Sequence, residues 1–161
     1  MSAVNAMSRD DNSGEDEQIV RRLLEVISRR RPMNEAAELL DVNVIAHMDG
    51  KIVGRSSGAW RRWVRFLHYN ADKRMSSLTI EVDSVSHRDD VVSVAAHWRG
   101  EIDGQEQLSD AGTVSYRVRD GKICEIWTHR ANYVFIYGAK IKSIAGFGWV
   151  LLRLLLWRET D

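Results

Sequence analysis

The chain has 161 residues, with 23 Lys and Arg against 23 Asp and Glu. That length favours one domain, able to bury roughly 68–70% of its unfolded surface without disulfides or metal. Its single cysteine, Cys124, excludes an internal disulfide and allows a reducing compartment, while the even charge argues against a nucleic-acid binder and the 44% hydrophobic content against a disordered chain.

Residues 1–17 read as a disordered acidic leader. They carry Asp10, Asp11, Glu15, Asp16 and Glu17 against Arg9 and show no apolar period. The segment has no apolar central run, so it is not a secretory signal, and a cytoplasmic address is the default. Val20, Leu23, Leu24 and Ile27 then recur at helical spacing. Arg29–Arg31 read as a charge cluster complementing that helix's C-terminal dipole, and Pro32 marks its end. A short second helix is expected over Asn34–Leu40, with Asn34 as its cap. From Asp41 the period changes to two, with Val42, Val44 and Ala46 on one face. Asp49-Gly50 is a hairpin signal, and Ile52-Val53 start the return strand.

Ser56-Ser57-Gly58 opens a third helix whose apolar stripe is Trp60, Trp63, Val64 and Leu67, opposite Arg61, Arg62 and Arg65. After Asn70 the pattern is strand-like. Leu78–Val82 alternates, His87–Asp90 reads as a turn, and Val91–Trp98 is a second run, broken near Gly100 and Gly104. Thr113–Val118 is a third, Asp120-Gly121 a tight turn, and Lys122–His129 a fourth. The order of helices and then strands predicts an α+β fold: three N-terminal helices packed on a curved, mostly antiparallel sheet. Such a sheet forms a cone whose interior suits a small molecule. Trp63, Trp98, Tyr116 and Trp127 are its expected pocket aromatics.

Residues 139–161 read as an apolar and basic C-terminal helix. Arg153 interrupts the runs Trp149–Leu152 and Leu154–Trp157, so the segment is too short to span a membrane, which takes about 20 apolar residues. Trp149 to Trp157 suit contact with a protein or with a peripheral membrane surface. No metal-ligand spacing joins His47, His68, His87, His97 and His129. There is no phosphate-binding loop, dinucleotide fingerprint or nucleophile elbow, so no cofactor is called for.

The layout resembles the SnoaL-like branch of the nuclear-transport-factor-two-like superfamily over about residues 18–138. The resemblance rests on Val44-Ile45-Ala46-His47 before a glycine, the Gly58–Leu67 helix, the ending Asp120-Gly121-Lys122-Ile123-Cys124-Glu125-Ile126-Trp127, and Gly138. It implies the cone fold, homodimerisation through the open sheet face, and, in catalytic members, a carboxylate inside the cone. In cyclase-like and epoxide-hydrolase-like members an acid follows the last-strand tryptophan. Here the stretch is Trp127-Thr128-His129-Arg130-Ala131-Asn132, without one. The first reading is therefore a domain that binds an apolar small molecule without an evident inherited catalytic acid. The alternatives are a polyketide-cyclase-, isomerase- or epoxide-hydrolase-like enzyme using His129 or His47 as base, and a dimeric assembly module tethered by its C-terminal helix. Arg99-Gly100-Glu101 is similar to the Arg-x-Asp pair of limonene epoxide hydrolases, and places Arg99 among the pocket residues.

Overall fold

The computed structural model of the chain describes residues 12–72, 77–108 and 112–129. Three helices and seven strands follow in order: α1 (Asn12–Ser28), α2 (Met33–Ala37), β1 (Leu40–Met48), β2 (Lys51–Gly54), α3 (Ser57–Asp72), β3 (Ser77–Arg88), β4 (Val91–Ile102), β5 (Gln105–Leu108), β6 (Gly112–Arg119) and β7 (Lys122–His129). The sheet order is β2-β1-β7-β6-β4-β3, with β5 paired to β4. Every described pairing is antiparallel except β1 with β7, which are parallel. The expected 139–161 helix lies outside the described residues.

Helix α1 begins at Asn12, inside the segment read as a leader. Arg21 pairs with Glu17 one turn earlier. Its apolar side, Val20, Leu23, Val26 and Ile27, is buried. The helix ends in a Schellman motif: Arg30 takes φ 51°, its N–H donates to Ile27 O, and Arg31 N–H donates to Val26 O. Arginine occupies the position glycine usually fills, and its side chain pairs with Asp72 at the end of α3. Arg29 pairs with Glu25 and Arg31 with Glu35, so each of the three arginines has a carboxylate partner.

Helix α2 starts after Pro32 with no side-chain cap, and Asn34 lies within it. It is shorter than its apolar pattern suggested because Leu39 and Leu40 turn into the sheet, where Leu39 O accepts from Ile123 N–H. Helix α3 is capped as its sequence implies: Ser56 Oγ accepts from Ala59 N–H at 3.1 Å.

The inward face of the sheet is built in rows. Ala46, Ile126, Tyr116 and Val92 are register partners across β1, β7, β6 and β4, and all four are buried. The next row is Met48, Thr128, Val114 and Val94. Asp49-Gly50, Asp103-Gly104 and Asp120-Gly121 each have both residues at positive φ, the requirement of a two-residue type I′ hairpin. The second of these was read as a break. It folds β5 back onto β4, and β4 runs unbroken through Gly100.

Val42 does not share the buried face of Val44 and Ala46. It is 69% exposed, because the β1–β7 register shifts between Leu40 and Ile45. Ile123, by contrast, is fully buried. Ile123→Ala should therefore cost about 2–5 kcal/mol in a urea titration. Val42→Ala should change stability by less than about 0.5 kcal/mol. Equal losses would mean that the register of β1 is wrong.

Candidate functional site

Between α3 and the sheet lies a cavity of about 130 Å³. Its floor is the Met48–Thr128–Val114–Val94 row together with Ala96 and Gly112. Its roof is the α3 stripe, Trp60, Trp63, Val64 and Leu67, continued one position further to His68. Ile80 and Trp98 close one side. The void has a simple origin. Opposite the two α3 tryptophans the sheet presents Ala, Gly, Thr and Val, and these small side chains do not fill the space beneath the indoles.

No Asp, Glu, Lys or Arg is among the described residues that line the cavity. Its polar side chains are His68, Thr113, Tyr116, Thr128, His129 and the tryptophan indoles. Burial pushes the Tyr116 phenol well above its ordinary pKa, so it stays a neutral hydroxyl. Burial, and secondarily the positive charge of Arg30, push His68 down to about 4, so its imidazole is neutral near pH 7.

Of the residues singled out in the sequence, Trp63, Trp98, Tyr116 and His129 lie on the cavity wall. His129, the last residue of β7, is exposed at the rim. Arg99, Trp127 and His47 lie on the other side of the sheet. The cause is alternation: Ile126, Trp98 and Ala46 point inward, so their neighbours point outward. Trp127 there stacks on His47, with centroids 5.8 Å apart, and the Arg117 guanidinium sits 4.8 Å above its ring. His47 Nε2 and Arg117 hold the two oxygens of Glu125, at 2.9 and 2.7 Å. Arg99 pairs with Glu81 and Glu106. His97, beside it, is held by Asp83 and Glu81 at 3.1 and 2.9 Å, and these hydrogen bonds raise its pKa. Cys124 is half-buried, its thiol pKa raised by that burial, and Sγ–H donates to Arg117 O at 3.6 Å. On this outer face Glu125, Arg117, Arg99, Glu81, Glu106, His97 and Asp83 are engaged with one another or with His47.

His68 was absent from the sequence-derived site. Its signal was its place four residues after Val64, on the flank of the stripe that was taken to end at Leu67.

The SnoaL-like domain family profile matches residues 20–126, and the chain belongs to that family. Solved structures of the same fold include wild-type IdmH, a candidate polyketide cyclase from Streptomyces antibioticus. It is 18% identical, covers 83% of this chain and 98% of its own, and has a TM-score of 0.61. AclR, a candidate hydroxylase from Streptomyces galilaeus, is 15% identical, covers 78% of this chain and 97% of its own, and has a TM-score of 0.61. A de novo designed protein with a curved β-sheet is 17% identical, covers 89% of this chain and 96% of its own, and has a TM-score of 0.60. At these identities the likeness carries the fold alone, and the designed protein makes the point that this fold does not imply an activity. No curated protein matches the chain.

The depressed His68 pKa fixes the sign of a pH effect. Between about 6.5 and about 4 the unfolded chain binds a proton that the folded chain refuses, so stability falls as pH drops through that window. Above it both states are neutral at this site and the contribution vanishes. Replacing His68 by Phe should remove on the order of 2–3 kcal/mol of the acid-side loss between pH 7 and 4, read from urea midpoints. Parallel pH profiles of the two proteins would contradict a buried neutral imidazole.

Proposed function

We propose that this chain is a small-molecule-binding SnoaL-like domain whose cavity takes an apolar, uncharged ligand. The observation that carries the reading is the cavity wall itself: tryptophan, valine, leucine and methionine side chains with a few neutral polar groups and no charged side chain among its described residues. A ligand carrying a full charge would lose its hydration there without gaining a counter-charge. An apolar ligand of six or seven heavy atoms gains the burial of its surface and the contacts the small floor residues leave unmade.

Catalysis by a histidine is the second reading. The observation favouring it is His129 at the rim, where related catalytic domains carry an acid soon after the last-strand tryptophan. His68, with its pKa pushed down to about 4, is a weak base and a poor proton acceptor near neutral pH. His47 is engaged with Glu125 on the outer face. Binding is therefore the reading the geometry favours. Homodimerisation across the outer face belongs to the same proposal, with exposed Val42 and Ile52 as apolar contacts at that end of the sheet.

Ala96 faces the void from β4, so Ala96→Phe should fill it. The variant should bind toluene at least about tenfold more weakly than the natural chain, by titration calorimetry, with its far-ultraviolet circular dichroism unchanged. Equal toluene affinity in a folded Ala96→Phe variant, or no toluene binding by the natural chain, would defeat the reading.

A further inference from the structure

His68 is the imidazole that α3 supplies to the cavity roof, and its surroundings differ from those of the histidines with an acidic neighbour. His47 has Glu125, His97 has Glu81 and Asp83, and His87 lies 3.4 Å from Asp16. No described residue hydrogen-bonds His68. A neutral imidazole carries one N–H donor and one bare nitrogen acceptor. His68 is half-buried and lines the cavity, so a ligand hydroxyl there can take the place of water at the bare nitrogen.

The setting also decides the form of the ring. Arg30, locked at the C-cap of α1 by its left-handed backbone and by Asp72, holds a positive charge near the ring. Asp72, one turn after His68 on α3, is engaged by that guanidinium. The pair thus keeps the nearby carboxylate occupied and opposes a proton on the imidazole. The remaining polar groups of the wall are the Tyr116, Thr113 and Thr128 hydroxyls, the indole N–H groups and the imidazole of His129, which is exposed at the rim. Of the two imidazoles, that of His68 lies on the roof rather than at the exposed rim, and there its bare nitrogen is a stronger acceptor than the hydroxyls around it.

We propose that His68 is the polar anchor of the cavity, and that it selects small uncharged molecules presenting a hydroxyl group to the imidazole. The inference rests on the binding reading above and narrows it from apolar ligands in general to hydroxyl-bearing ones. A hydroxyl donates to the bare nitrogen while its hydrocarbon body lies under Trp63 and against Val94 and Val114. A carboxylate ligand is refused, because the ring has no positive charge to offer it.

The probes are phenol, benzene and benzoate, titrated calorimetrically at pH 7 into the full chain and into His68→Leu and His68→Gln. Benzene reports the cavity and phenol reports the anchor. The ratio of benzene to phenol dissociation constants should fall roughly three- to tenfold in His68→Leu, the size of one hydrogen bond's net contribution. It should recover in part in His68→Gln, which keeps a donor and an acceptor. Benzoate should not compete with phenol. In the natural chain the His68 imidazole ¹⁵N signal should shift when phenol is added, a readout that needs no variant to fold. Benzene binding with an unchanged ratio in His68→Leu, or a still imidazole signal at saturating phenol, would overturn the anchor and leave the binding reading standing. Failure of both benzene and phenol to bind the natural chain would overturn both.

Discussion

The parallel pairing of β1 with β7 is the constraint on which the rest depends. It brings Ala46 beside Ile126, and thereby extends to the first strand a buried row that already runs through Tyr116 and Val92. A shift of one residue in that pairing would turn Val44, Ala46 and Met48 outward and bring Ile45 and His47 in. The pairing is held at both ends by backbone bonds, Ile123 N–H to Leu39 O and Asp49 N–H to Thr128 O, each 2.9 Å. The same register sets the second row, Met48 to Val94, and that row is the cavity floor. Core and candidate site are adjacent rungs of one ladder.

The two faces of the sheet solve different problems. Inward, small floor residues under large α3 aromatics leave a void that no side chain of the described residues fills. Outward, a tryptophan lies between an imidazole and a guanidinium, and the charges form closed networks: His47–Glu125–Arg117–Asp90–Arg119 on one side and Asp83–His97–Glu81–Arg99–Glu106 on the other. These outer pairs are at least partly solvated and contribute little each to stability. They do hold His47, His97 and their acidic partners away from the cavity, whose wall carries His68 and His129 but no acid among its described residues. The proposed reading is supported by that partition: the inward face borders an uncharged void and the outward face carries paired charges. Among the described residues no helix is long and apolar enough to cross a membrane.

Much of this was legible in the residues. The α+β order, the three helices, the small hairpin before α3 and two of the three Asp-Gly turns were all carried by period and turn chemistry. The inward placement of Trp63, Trp98 and Tyr116 was legible because each sits on an apolar stripe or an alternating strand. Other features depend on pairing partners far away in the chain. The parallel β1–β7 contact has no local signature, and without it the exposure of Val42 cannot be read. Trp127 was drawn inward by its aromatic character, although its neighbour Ile126 takes that face. Arg99 and His47 were misplaced by the same one-residue alternation. The Asp103-Gly104 turn was obscured because the strand after it, Gln105–Leu108, is polar. His68 escaped notice because an imidazole at the edge of an apolar stripe looks like the start of the solvated face. Only the packing of α3 over the sheet reveals that the position is half-buried on the cavity wall.

The account turns on the void between α3 and the sheet, and pressurising crystals with xenon examines it without assuming any ligand. Xenon enters dry apolar cavities of this size and scatters strongly enough to be located directly. The account predicts a xenon site bounded by Trp63, Val94, Ala96 and Val114 at modest pressure, with the surrounding side chains unmoved. No xenon there, with the α3 tryptophans collapsed onto the Val94–Val114 floor, would contradict it.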